Sequence, residues 1–216
     1  MRHPHGLRAA AGTGRISFIN SAQTQTNGST ADITINKPTN TAQNDLMVAI
    51  IGMTTAATRT WTSPAGWTEV LDSTGFMVSY KVAGASEGAS YTFSQSGPST
   101  RASSGIIVTY RGAAYDTVGT ASLTIASNVQ TASGITLALP NSILLAFFAS
   151  ADQVSITWSS PTSGLVSLAT DSDASAPSWA LYSQSGVSSG STGNKSATAS
   201  AGNTTPVCFL VGIKPS

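Results

Sequence analysis

Apolar and polar residues alternate along several short stretches of this chain, most clearly in FMVSYKV, residues 76–82. Phe76 and Val78 fall on one side of an extended segment, whereas Ser79 and Lys81 fall on the other. Successive side chains of a β-strand point to opposite faces, so this period of two predicts a strand with one face in a core.

Four other stretches are almost continuously apolar: LMVAII (46–51), IIVTY (106–110), ILLAFF (143–148) and CFLVGI (208–213). Short runs bounded by turns are typical of strands that are buried on both faces. Clusters such as SPAG and QSGPST separate the runs, and their residues favour turns. Apolar residues nowhere recur at helical spacing over three turns. The pattern predicts an all-β chain with about ten to fourteen strands, at spacings typical of antiparallel β-sandwiches.

The two halves of the chain resemble each other in sequence. Matching pairs at one constant spacing are Asn44 with Asn141, Trp61 with Trp158, and Pro64 with Pro161. Farther along, GIIVTYRG from Gly105 aligns with VCFLVGIK from Val207. We interpret the similarity as an internal duplication, with repeats over about residues 30–113 and 132–214.

Two arrangements fit such a repeat: two tandem sandwiches, or one double sheet to which both halves contribute strands. No linker separates the halves, because the intervening segment still alternates like a strand. We therefore expect a single β-sandwich domain over residues 15–216. An N-terminal arm, residues 1–14, precedes it and contains both histidines, His3 and His5. The arm is expected to be flexible, or else to dock on a neighbouring subunit.

Composition narrows the choice of partners. Charged residues make up 9% of the chain, the net charge is +1, and no run of like charge occurs. Nucleic acid and anionic membranes are therefore unexpected partners. The apolar runs are too short to span a bilayer, and the polar start lacks the apolar segment of an export signal. The one cysteine, Cys208, excludes an intrachain disulfide and is expected to be buried.

Few residues are available for catalysis. Glu69, Asp72 and Glu87 lie near the turn region of the first repeat, and we expect them to be solvated charges at strand ends. The segment DSDAS, residues 171–175, has alternating oxygen ligands but lacks the glycine and distal glutamate of an EF-hand loop. We interpret it as a surface loop. With no triad and no phosphate-binding motif, we expect no enzymatic activity, no catalytic residues, no cofactor and no metal site.

The aromatic residues leave one binding hypothesis open. Tryptophan rings either fill the sandwich core or, if exposed together, stack on sugar rings. Trp61 and Trp158 occupy equivalent repeat positions, which favours the core. Trp67 has no tryptophan counterpart near the aligned Gly164. It is therefore the candidate for an exposed, ligand-facing aromatic ring.

Four segments resemble a module found in phage virion proteins and bacterial surface proteins. They are NDLMVAI (44–50), SPAGWTEV (63–70), SYKVAGASEGASYTFS (79–94) and GIIVTYRGA (105–113). The second half also follows the module's usual continuation. Gly88 stands where the module usually has proline, a change that loosens the turn. The resemblance implies a jelly-roll-like sandwich on the outside of a particle or cell, and it transfers no functional residue.

From the resemblance we expect a non-enzymatic bacteriophage virion protein at the particle surface, either a capsid decoration (cement) protein or a minor capsid protein. Its partners would be the major capsid protein or other virion proteins. A homo-oligomer, such as a trimer, is expected. The alternative is a carbohydrate- or receptor-binding module of a tail fibre or bacterial surface protein, with a host glycan as ligand.

Overall fold

The structure, a computed structural model, describes residues 14–28, 32–54, 59–73, 75–96, 101–123, 127–202 and 205–216. Over these ranges the chain forms strands and turns and contains no helix. The strands are β1 (Ser17–Asn27), β2 (Asp32–Asn36), β3 (Leu46–Met53), β4 (Trp61–Thr62), β5 (Thr68–Ser73), β6 (Phe76–Val82), β7 (Ser90–Gln95), β8 (Ala102–Arg111), β9 (Ala113–Val118), β10 (Val129–Ala132), β11 (Thr136–Leu137), β12 (Ser142–Ser150), β13 (Trp158–Ser159), β14 (Val166–Asp171), β15 (Ser178–Val187), β16 (Gly190–Ser191), β17 (Lys195–Ala199) and β18 (Pro206–Pro215).

The prediction of an all-β antiparallel sandwich is confirmed. The described part of the chain contains more strands than expected, because β4, β11, β13 and β16 have only two residues each. Such short segments give no periodic signal in the sequence.

Each half of the chain forms one five-stranded and one three-stranded sheet. In the first half their orders are β1-β8-β3-β6-β5 and β2-β7-β4. In the second half they are β9-β18-β12-β15-β14 and β10-β17-β13, with β11-β16 as a separate pair. The two halves, here called the first and second sandwich, therefore have corresponding strand orders. This correspondence supports the jelly-roll and duplication interpretations, which stay predictions.

The two five-stranded sheets pack face to face and share a central core. Phe147 of β12 shows this, because its ring lies 5.1 Å from that of Phe209 and 5.9 Å from that of Phe76 in the first sandwich. The three-stranded sheets cover the outer faces, so the molecule has four layers. Along β3, Val48 faces the central core while Met47 faces the outer core. Burial on both faces explains the continuous apolar runs.

The structure combines features of the two arrangements left open by the sequence. Each half closes its own two-sheet sandwich, as tandem units would, yet one shared core joins them. The burial of Cys208, with none of its surface exposed, is confirmed. The alignment of Gly105 with Val207 is wrong by one residue. Leu46 pairs with Tyr110, and the corresponding Ile143 pairs with Ile213, so Cys208 is the counterpart of Gly105. A slip of one residue would turn every side chain of β18 to the opposite face.

Candidate functional site

Two of the four resembling segments, residues 63–70 and 79–94, meet at one place in the first sandwich. Here the Glu87 carboxylate accepts hydrogen bonds from Lys81 Nζ (2.7 Å), the Tyr91 hydroxyl (2.7 Å) and the Gly84 N–H (2.6 Å). We call this cluster, with Gly66 and Trp67 beside it, the motif corner. The Glu87 side chain is only 7% exposed. The expectation that Glu87 is a solvated charge is therefore wrong.

The electrostatics of the motif corner favour the ionised carboxylate. Burial by itself raises the pKa of Glu87, but the hydrogen bonds from Lys81, Gly84 and Tyr91 outweigh it and lower the pKa. Burial, and then the hydrogen bond to this carboxylate, raises the pKa of Tyr91. Lys81 Nζ also lies 5.5 Å from the centre of the Tyr91 ring. The hydrogen-bonding groups of the corner thus have partners within it, and the corner joins β6, β7 and the turn between them.

A second pair links the remaining two resembling segments. Arg111 donates from two nitrogens to the two carboxylate oxygens of Asp45, each at 2.9 Å. The Ala42 N–H also donates to this carboxylate, at 2.8 Å. Burial by itself raises the pKa of Asp45, but the hydrogen bonds from Arg111 and Ala42 outweigh burial, so the pKa is lowered overall. Asp45 is 1% exposed, and the pair fixes the start of β3 to the end of β8.

Trp67 lies in the core of the first sandwich and is 9% exposed. Its ring packs edge-on against those of Tyr91, at 5.0 Å, and Phe93, at 5.5 Å. The expectation of an exposed, ligand-facing ring at Trp67 is therefore wrong. The turn before it places a buried apolar side chain here in both sandwiches, because Leu165 occupies the same position in the second.

The two turns show the correspondence directly. The N–H of Trp67 donates to the Pro64 carbonyl at 3.2 Å, and that of Leu165 donates to the Thr162 carbonyl at 3.1 Å. A glycine with positive φ precedes each, since left-handed backbone favours glycine. The segment from Trp158 to Leu165 is one residue longer than the segment from Trp61 to Trp67, which obscured the match between Trp67 and Leu165.

The other tryptophans fill cores, as expected. Trp61 is 3% exposed and donates from Nε1 to the Gly75 carbonyl at 2.9 Å. Trp179 is 1% exposed and lies in the central core. Trp158 is half-buried against Phe148, with 5.9 Å between the rings. None of these rings forms an exposed stacking platform.

Glu69 and Asp72, the other two carboxylates near the first turn, take no part in the hydrogen bonds of the motif corner. Glu69 and Asp72 are on edge strand β5, on either side of a bulge. Burial raises the pKa of both, and the negative charge of Asp72 raises that of Glu69 further. Asp72 accepts a hydrogen bond from the Trp61 N–H at 3.3 Å. Glu69 is exposed, as expected for a solvated charge, whereas Asp72 is half-buried.

In the DSDAS segment the acidic groups are engaged by the protein itself. Asp171 accepts a hydrogen bond from the Ser104 hydroxyl, across the interface of the sandwiches. Burial raises the pKa of Asp171. Asp173 accepts from the Ser175 N–H (2.5 Å) and from Gln25 Nε2 (2.8 Å). Over the described ranges no group of three metal-ligating side chains occurs. His3 and His5 lie outside the described residues.

One open groove lies between the sandwiches beside edge strand β1. Its volume is about 790 Å³, and we call it the β1 groove. It is lined by Gly14, Arg15, Ile16, Ser17, Phe18, Tyr110, Asn141, Ile143, Ser183, Ser185 and Gly186. The Phe18 ring is 43% exposed and packs edge-on against Tyr110 at 5.6 Å. No local sequence pattern predicts this groove, because its walls come from segments far apart in the chain.

Comparison of the chain with protein-family models, curated proteins and solved structures finds no match. The resemblance to the phage and surface module therefore stays a prediction. In the described ranges the structure offers no helix of the length and apolarity that a membrane crossing requires.

Proposed function

We propose that this protein is a non-enzymatic structural protein of a bacteriophage virion, a capsid decoration or minor capsid protein at the particle surface. The observation that supports this most is the use of the motif residues. Asp45, Lys81, Glu87 and Arg111 all act within internal contacts, so what the motif encodes is a rigid scaffold. The four-layer body then suits a protein that reinforces a shell or projects from it.

The edges of the central sheets favour attachment through side chains and loops. Each of the edge strands β1, β5, β9 and β14 has a register shift in its pairing. Bulges twist an edge and hinder the addition of a further strand. A shell partner, such as the major capsid protein, would therefore contact loops and exposed side chains, and symmetric copies would do the same.

Particle analysis tests this role. Purified virions of a phage that encodes this chain are analysed by quantitative mass spectrometry and cryo-electron microscopy. The proposal expects many copies on the capsid shell, arranged by its symmetry. Absence from the particle, or confinement to the tail tip, would contradict it.

The alternative of a carbohydrate- or receptor-binding module loses its original basis. It predicted aromatic rings exposed together on one face, with Trp67 as the candidate, and the Trp67 ring is buried. A binding role now needs a different aromatic surface.

A further inference from the structure

The β1 groove has a counterpart on the opposite side of the molecule that is filled. By strand order β1 corresponds to β9 and β8 to β18. Phe18 pairs with Tyr110 and is followed by a bulge, and Tyr115 pairs with Ile213 and is likewise followed by a bulge. Phe18 and Tyr115 are therefore equivalent residues on the two edge strands.

The facing wall differs between the two sides. Val48 of β3 pairs with Tyr80, and its counterpart in β12, Leu145, pairs with Ser183. Ser183 is therefore the counterpart of Tyr80. The Tyr80 ring stacks on Tyr115 with 4.5 Å between ring centres and 6° between planes. At the β1 groove the serine leaves that position open, and the equivalent ring is exposed. The Tyr80–Tyr115 pair therefore shows that a flat ring can stack on the aromatic residue of this edge strand.

The polar lining defines what kind of ring fits. Ser183, Ser185 and Asn141 supply hydroxyl and amide groups. The Tyr110 hydroxyl is buried, and no hydrogen-bond partner for it occurs among the described residues. A buried polar group without a partner destabilises the folded protein, so a ligand or water that reaches this hydroxyl is favoured. An exposed aromatic ring surrounded by such groups suits a pyranose, which has an apolar face and a hydroxylated rim.

The charge of the lining narrows the choice further. Within the part of the chain that the structure describes, Arg15 is the one charged residue that lines the groove, and no carboxylate lines it. A guanidinium pairs well with a carboxylate, because two parallel hydrogen bonds match its geometry.

We propose that the β1 groove binds an acidic saccharide. A hexuronate ring stacks on Phe18, as Tyr80 stacks on Tyr115 on the other side of the molecule, and its carboxylate pairs with Arg15. The site goes beyond the proposed virion role and does not depend on where the protein is located.

Titration with matched saccharides tests the site. The probes are a glucuronate oligosaccharide and the glucose oligosaccharide of the same linkage and length, added to the full-length protein up to about 10 mM, which covers weak binding. Binding is followed by amide chemical shifts of Ser183 and Ser185. We expect the acidic probe to bind at least about tenfold more tightly than the neutral one.

Three variants separate the contributions. Phe18→Ala removes the stacking ring and is expected to weaken binding by about tenfold. Arg15→Gln should remove the preference for the acidic probe while weak binding of both remains. Ser183→Tyr rebuilds the filled side within the groove and should abolish binding. Val166→Ala is the control, because Val166 is 68% exposed and does not line the groove.

Each variant is first shown to be folded by its thermal unfolding curve. If Ser183→Tyr does not fold, Phe18→Ala and Arg15→Gln still decide the question. Failure of both probes to bind wild-type protein would overturn the proposal. So would unchanged affinity in Phe18→Ala, equal affinity for the two probes, or binding that arises only when residues 1–13 are deleted. The last result would assign the groove to the N-terminal arm.

Discussion

Replacement of Glu87 tests whether the motif corner is a structural joint. Glu87→Gln keeps the shape of the side chain but removes the charge that accepts three hydrogen bonds. A hydrogen bond to a charged group contributes about 1.5–3 kcal/mol. Lys81 is 20% exposed, so its ammonium group can regain contact with water, and the glutamine carbonyl oxygen still accepts some of these hydrogen bonds. We therefore expect a loss of about 2 kcal/mol in the free energy of unfolding, and about 3 kcal/mol for Glu87→Ala.

Urea unfolding followed by tryptophan fluorescence measures this loss, since Trp67 lies at the corner. Glu69→Gln is the matched control, because Glu69 is an exposed carboxylate whose pKa is raised by burial and by Asp72. Loss of a charge that folding disfavours should change stability by less than about 0.5 kcal/mol or increase it slightly.

The pH dependence gives an independent check. The pKa of Glu87 is lowered in the folded protein, so its contribution is fully present above the unfolded value of about 4.3. The contribution is lost as the pH falls through the lowered folded value. The stability difference between wild type and Glu87→Gln should therefore be constant near neutral pH and shrink in acid. A difference below about 0.5 kcal/mol at neutral pH would refute the structural assignment of the corner.

Three further predictions concern packing and reactivity. Gly52→Ala should lower the free energy of unfolding by about 3 kcal/mol, because the new methyl group would lie 2.1 Å from the Phe76 ring; urea unfolding measures it. Trp67→Leu should be tolerated better than Trp67→Ala, which should cost about 3–5 kcal/mol, since Leu165 fills the equivalent position in the second sandwich. Burial raises the pKa of Cys208 to about 11, so a maleimide reagent at neutral pH should label its thiol only after unfolding.

Matched controls distinguish these effects from general loss of stability. Gly202→Ala adds the same methyl group where no atom of the described residues, its chain neighbours aside, lies within 4 Å, and it should leave the unfolding curve unchanged. Equal curves for Gly52→Ala and wild type would contradict the packing described at β3. A Trp67→Leu variant as unstable as Trp67→Ala would show that the two turns are not interchangeable. Rapid labelling of folded protein would show that Cys208 is accessible.

The strands themselves were predictable because their signal is local. Alternation in residues 76–82 and the apolar run at 143–148 reflect burial on one face or two, and both periods are visible in neighbouring residues. The order of matching segments in the two halves was visible for the same reason. The register of β18 was not, since a shift of one residue hardly changes the match of two apolar runs but reverses the faces.

The burial of individual charged and aromatic side chains was decided by the tertiary structure. In the sequence Glu87 resembles a surface charge, but in the structure Lys81 and Tyr91 hydrogen-bond to it. Trp67 was predicted to be exposed, but Phe93 packs on its ring. The β1 groove likewise depends on which strands face each other.

By itself, the sequence determined that this protein is built from antiparallel strands, because strand propensity and face periodicity are properties of neighbouring residues. Only the tertiary structure decided that the two large sheets face each other across one core. It also decided that Ser183 leaves open the space that Tyr80 fills on the other side. Those outcomes depend on side chains brought together from opposite halves of the chain, and no local pattern encodes such a meeting.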